Sequence, residues 1–191
     1  MINHLFLYFD DLLDSVWEAK NRNLPVSFAS GLTGMAWGIE YLLQNSFVSG
    51  QGNAVCREID SRIMNSDIRR ISPDFIENEL EGLLHYILIR IKGSIMQQTA
   101  FPFDELYCRD LLQTLHLIRK TNSISQTGDS LINQLFGYLQ NKNSLDYIPN
   151  LITFIDEKDT VKREKDILSA PSGIKNGLAG HLYKLINRRQ P

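Results

Sequence analysis

The sequence predicts an all-α protein, and three observations carry that reading. Apolar residues recur at helical spacing in one segment after another, while no segment alternates with the period of two that a half-buried strand requires. Short glycine-led segments also return at a near-constant interval. "GLTGMAWGIEYLL" begins at Gly31, "GLLHYILIRI" at Gly82, "GDSLINQLFGYL" at Gly128 and "GLAGHLYKLI" at Gly177, so successive copies lie 51, 46 and 49 residues apart. That period predicts one domain over residues 1–191, made of about four helical hairpins, each pairing an amphipathic helix with a more apolar one.

Taken in order, residues 4–20 place Leu5, Phe9, Leu12, Leu13 and Val16 at helical spacing, with Asp10, Asp11, Asp14 and Glu18 elsewhere around the wheel. "NRNLPVSFAS" breaks that helix, and Ser30 is placed to cap the next one, a largely apolar helix over 30–47. The Gly- and Ser-containing "SFVSGQGN" closes it. Val55, Ile59 and Ile63 then mark one side of a helix over 53–65. Pro73 and Asp74 suit a helix start, and the chain reads as helical to about Lys92, with "GSIMQQTAFPF" as the following loop. Residues 103–121 are amphipathic, with Phe103, Leu106, Leu111, Leu115 and Ile118 along one side. "TNSISQTGD" is a polar break before the helix "SLINQLFGYLQ". A short segment over 147–156 precedes "DEKDTVKREKD", a loop or a solvated helix face, and "SAPSGIKN" leads into the last helix.

The glycines need a physical reason, because each weakens a helix by about 1 kcal/mol relative to alanine. A glycine at a helix start permits a sharp turn of the chain. A second one, three residues on, clears the same face so that a neighbouring backbone can approach. Recurrence at a shared period predicts several helix starts crowded around a common centre. The rim of that centre is the candidate binding surface: Gly31, Gly34, Gly82, His85, Gly177, Gly180 and His181. For the two histidines the functional reading is a general base or an anion contact, and the simpler one a ring satisfied by neighbouring backbone. Trp37 reads as core filling.

Composition narrows the classes. Hydrophobic content of 43% with 22% charged residues is that of an ordinary globular domain. A net charge of −2 without a basic cluster gives no electrostatic case for nucleic acid or an anionic membrane. The leading segment lacks a positive start and is interrupted by Asp10 and Asp11, which argues against a signal peptide. "GLLHYILIRI" is too short to span a bilayer. Two cysteines, Cys56 and Cys108, predict reduced thiols in a cytoplasmic protein rather than a disulfide framework.

"SGLTGMAWGIEYLL" and "NGLAGHLYKL" resemble the inner-helix starts of the lanthionine synthetase C-like family. The resemblance implies an α/α toroid, here partial and open, roughly half of the family's ring. Active members use a zinc ion, held by two cysteines and a histidine in Trp-Cys-x-Gly and Cys-His-Gly segments, to activate a peptide thiol. Neither segment occurs here. Cys56 and Cys108 fall on outer-layer helices, and His116 lies about 12 Å along the axis from Cys108. No metal site and no cofactor are therefore carried over. The expected function is a peptide- or protein-binding accessory in peptide maturation, without zinc-dependent cyclase activity. The alternative is a structural helical-hairpin module completed by self-association or a second chain. A toroid-type glycosidase ranks below both: Glu40, Glu79, Glu81 and Asp129 are available, but no spacing pairs two of them.

Overall fold

The computed structural model describes residues 24–66, 68, 79–120, 124–141, 145–151, 154–155, 174–175 and 177–187. The helix expected over 4–20, the start at Pro73 and Asp74, and the charged stretch after Asp156 lie outside these residues. Within them the chain is all-helical, with α1 Leu32–Gln44, α2 Gly52–Asn65, α3 Glu81–Met96, α4 Glu105–Lys120, α5 Gln126–Asn141 and α6 Leu178–Asn187. No strand occurs among the described residues, and none of their helices is long and apolar enough to cross a membrane.

The more apolar helices form one row in the lateral order α6, α1, α3, α5, while α2 lies across α1 and α3, and α4 lies on α5. Helix α1 is buried from Leu32 through Leu43, as expected for a helix with neighbours on every side. Helices α2 and α4 bury a single stripe: Cys56, Ile59 and Ile63 in one, Tyr107, Leu111 and Leu115 in the other. Leu106, expected on that inner stripe, is 58% exposed instead. It stands five residues before Leu111, well off the three- and four-residue spacing that keeps side chains on one face.

The glycines give the row its closeness. The loop before α1 folds back over the helix start, so that Leu32 N–H donates to the Pro25 carbonyl at 3.0 Å and Thr33 Oγ1 donates to the Val26 carbonyl at 2.7 Å. No Ser30 side chain caps the helix; the cap residue is Gly31, and the Leu32 bond satisfies one donor of the first turn. A Cβ at Gly34 would overlap the carbonyl oxygen of Phe28, six residues earlier. A Cβ at Gly180 would overlap the carbonyl of Ile174, also six residues earlier. Lys175 N–H donates to the Ala29 carbonyl at 2.8 Å, joining the two loops at matching positions. Gly31 and Gly177 therefore do begin equivalent, adjoining units.

For the other two copies the register shifts by three. Gly34, Gly128 and Gly180 are each the third residue of their helix, and Gly82 likewise lies in the first turn of α3, which is entered through a π-helical turn at 79–80. The recurring residue is thus the second glycine of the pair. Ser125 replaces the first before α5, its hydroxyl accepting from Gly128 N–H at 2.9 Å. That cap starts the helix at Gln126, earlier than the sequence suggested.

Helix α3 also runs on through Met96 rather than ending near Lys92. Gly93, read as a loop residue, stays helical because its missing side chain makes room for the Glu40 carboxylate. Both α1 and α3 close on the same hydrogen-bond pattern, Phe47 N–H to Leu42 O and Thr99 N–H to Ser94 O. Ser46 and Gln98 there take positive φ of 57° and 52°.

Gly34→Ala should destabilise by about 2 kcal/mol, because the clash is with backbone that cannot rotate away. Gly137→Ala, in α5 with nothing within 4 Å of the added carbon, should instead stabilise by about 0.5–1 kcal/mol. Urea unfolding of the two variants checks the pair; a stabilised Gly34→Ala protein would contradict the packing described.

Candidate functional site

One stripe of this helix row is covered by the chain itself. Residues 145–151 are in neither helix nor strand, with Leu145, Tyr147 and Leu151 buried and Asp146, Ile148 and Asn150 exposed. Of the short element expected over 147–156, residues 147–151 belong to this segment, which lies against α1, α3 and α6, while 152, 153 and 156 lie outside the described residues. Trp37 Nε1–H donates to Tyr147 Oη at 3.1 Å, and the same hydroxyl meets His85 Nδ1 at 2.7 Å. An indole N–H can only donate, so Tyr147 Oη accepts from Trp37 and gives its own proton to His85 Nδ1, which places the proton of the neutral ring on Nε2. Main-chain contacts hold the segment as well: Lys92 Nζ donates to the Tyr147 carbonyl at 2.9 Å, and Tyr183 Oη donates to the Pro149 carbonyl at 3.3 Å.

Phe28 joins this stripe to the helix starts. Its carbonyl packs on Gly34 and its side chain takes the space left by Gly82. The ring stacks on His85 at 5.9 Å and meets Trp37 at 6.2 Å and Phe154 at 4.9 Å edge-on. His85 is fully buried. Burial pushes its ring down to about 4, only partly offset by the nearby Asn150 backbone, so the imidazole is neutral at pH 7. Nε2 has no hydrogen-bond partner.

A second polar centre is shared by α1, α2 and α3. Arg90 forms an ion pair with Glu40. Its Nε and Nη2 bind both oxygens of Asp60, Nη2 at 2.7 Å, and Nη2 also reaches Asn53 Oδ1 at 2.9 Å. Tyr86 Oη donates to Asp60 at 2.7 Å, and Gln44 Nε2 donates to Glu40 at 3.1 Å. The Glu40 carboxylate sits in a slot between Gly52 and Gly93, where either added Cβ would overlap it. Burial raises the Glu40 carboxyl above its ordinary range, against the opposing pull of Arg90 and Gln44. Burial also disfavours the guanidinium, but the hydrogen bonds to Asp60 and the surrounding acidic groups outweigh it and keep Arg90 charged.

The structure thus brings the expected rim together but covers it. Gly31, Gly34, Gly82, Gly177 and Gly180 are buried, as is His85, while His181 is half-buried. The two histidines are not equivalent: His85 lies three residues past its glycine and His181 one past Gly180. The position matching His85 on α1 is Trp37, which joins it at Tyr147. Sequence reasoning missed Tyr147, Phe28 and Arg90. An arginine inside "GLLHYILIRI" was the available signal, since a buried guanidinium requires buried carboxylates.

Three of the four carboxylates considered for sugar chemistry are engaged in different places, and Glu79 is exposed. Glu40 binds Arg90, Glu81 accepts from Ser125 Oγ at 2.9 Å, and Asp129 binds Arg119 at 2.6 Å. Among the described residues no three His, Cys, Asp or Glu side chains gather where they could hold a metal ion. The donor set does not suit zinc. Cys56 is fully buried and held protonated by that burial, with Arg90 pulling the other way, and Cys108, half-buried on α4, is pushed up to about 11, first by burial. No family model, no curated protein and no solved structure matches the chain significantly.

Because His85 is neutral when folded and titrates near 6.5 when unfolded, the unfolded chain binds the extra proton as pH falls between those values. Stability is then intact above about 6.5 and lost as pH drops toward 4, by on the order of 3 kcal/mol in all. Between about pH 7 and about pH 4.5, His85→Gln should lose about 2–3 kcal/mol less than the native protein in urea unfolding. Equal losses would contradict a buried neutral imidazole.

Proposed function

We propose that this chain is a zinc-free, lanthionine synthetase C-like accessory that binds an extended peptide within a peptide-maturation system, its helical hairpins arranged as an open toroid. The observation that supports this most is the repeated docking of a loop carbonyl on a glycine-cleared helix start, Phe28 on Gly34 and Ile174 on Gly180. It gives the resembling segments a shared physical role at matched positions. The helix row also carries side chains that hold main-chain carbonyls of a non-helical segment, Lys92 and Tyr183, which is the chemistry a bound peptide requires.

A second reading, a structural module completed by self-association, is favoured by a different observation. A groove of about 1110 Å³ between α4 and α5 is lined by Phe101, Leu106 and Leu112, and Leu106 and Leu117 nearby are 58% and 63% exposed.

One titration separates the two. A fluorescent extended peptide rich in Cys, Ser and Thr, followed by anisotropy, should bind saturably in the micromolar range with an affinity independent of protein concentration. A Gly-Ser peptide of equal length should not. Absence of saturable binding, together with sedimentation that rises with concentration, would overturn the accessory reading in favour of the module.

A further inference from the structure

We propose that the cleft at the C-terminal ends of α1, α3 and α6 binds the terminal carboxylate of an apolar amino-acid residue, with Lys92 as its counter-ion. The inference rests on the peptide-binding reading and names the end of the peptide that is recognised. The cleft has a volume of about 250 Å³ and is walled by Tyr41, Tyr183, Met96 and Ile148 around Lys92. Room of that size suits one side chain with its carboxylate and excludes a folded partner.

Among the described residues Lys92 is the only charged side chain lining the cleft. Its ammonium donates to the Tyr147 carbonyl at 2.9 Å, which anchors it and leaves two of its three protons. Among the described residues no carboxylate pairs with it. The tyrosine and glutamine donors are already engaged within the protein. Tyr41 Oη donates to Asn187 Oδ1 at 3.3 Å, Tyr183 Oη to the Pro149 carbonyl, and Gln44 Nε2 to Glu40 and to the Ile89 carbonyl. The cleft therefore offers a ligand one strong site, and that site is cationic.

Two helix ends would by themselves favour a cation here. The amides of Asn45 and Asn187 turn back onto the Tyr41 and Tyr183 carbonyls at 2.8 and 3.1 Å, satisfying part of each last turn. The apolar part of the ligand is set by Met96 and Ile148, which are 53% and 78% exposed at the same place. A charge-assisted bond to an anchored ammonium, beside apolar walls, matches a carboxylate on an apolar residue and not a phosphate, which would need further donors.

The test is calorimetric titration of the full chain with N-acetyl-leucine and with N-acetyl-leucinamide. The acid should bind at least about tenfold more tightly than the amide. Lys92→Met should erase the preference and Lys92→Arg should retain it. Ile148→Asp changes a residue exposed enough to leave the fold intact and should weaken the acid at least as much by repulsion. Equal binding of acid and amide, no binding of either, or indifference to Ile148→Asp overturns the assignment. The Cys-, Ser- and Thr-rich peptide keeps the two readings apart. If it binds equally with a free or an amidated C-terminus, the carboxylate site fails while the accessory reading stands.

Discussion

The structure depends on one constraint: two loops lay carbonyl oxygens against helix faces where a methyl group would not fit. Phe28 carries the greater part. Its carbonyl rests on Gly34, its ring takes the space at Gly82, and the same ring supports His85, Trp37 and Phe154. The loop before α6 repeats the arrangement through Ile174, whose carbonyl meets Gly180 and whose Cγ1 stands 3.1 Å from where a Gly34 Cβ would be. With Lys175 tied to Ala29, the two helix starts form one packed unit. A pair of glycines that weakens each helix taken singly thus sets the distance between helices.

The buried charges act at the other end of the row. Glu40, Arg90 and Asp60 are all at most 3% exposed, and such clusters add little net stability while making the wrong arrangement costly. Sliding α3 by one turn against α1 would strand Arg90 from Glu40 and move Gly93 away from the carboxylate it accommodates. Gly52 N–H donating to Gln97 Oε1 at 3.0 Å and Asn53 Nδ2 donating to the Ala100 carbonyl at 2.9 Å fix α2 against the same end of α3. The glycines therefore set how near the helices come, and the ions set their register.

Much of this was legible in the sequence. Helical periodicity and the glycine recurrence pointed to the right elements, and Gly31 and Gly177 do begin adjoining, equivalent helices. What periodicity does not carry is which of two glycines is matched in a diverged copy. Gly82 and Gly128 look like leading residues, yet they sit inside the first turn of their helices as Gly34 does, and they pack on side chains of Phe28 and Ile124 rather than on a carbonyl. Gly93 reads as a helix end because its reason for being helical, the Glu40 carboxylate, is 53 residues away in sequence. Tyr147 was hidden for a similar cause. A non-helical segment whose partners are helix side chains leaves no sheet pattern, and only the alternation of Leu145, Tyr147 and Leu151 with exposed residues hints at it. His85 was singled out for a rim, whereas its neighbours make it a buried, neutral ring.

The central claim, that the two glycine-cleared helix starts form a single packed unit, is tested most directly by a double-mutant cycle of Gly34→Ala and Gly180→Ala in urea unfolding. Both substitutions push on Ile174 and on loops joined by the Lys175–Ala29 bond. The second should therefore cost less once the first has displaced them, giving a coupling of about 1 kcal/mol. Costs that add to within about 0.3 kcal/mol would mean that the two starts pack independently, and the shared unit would not exist.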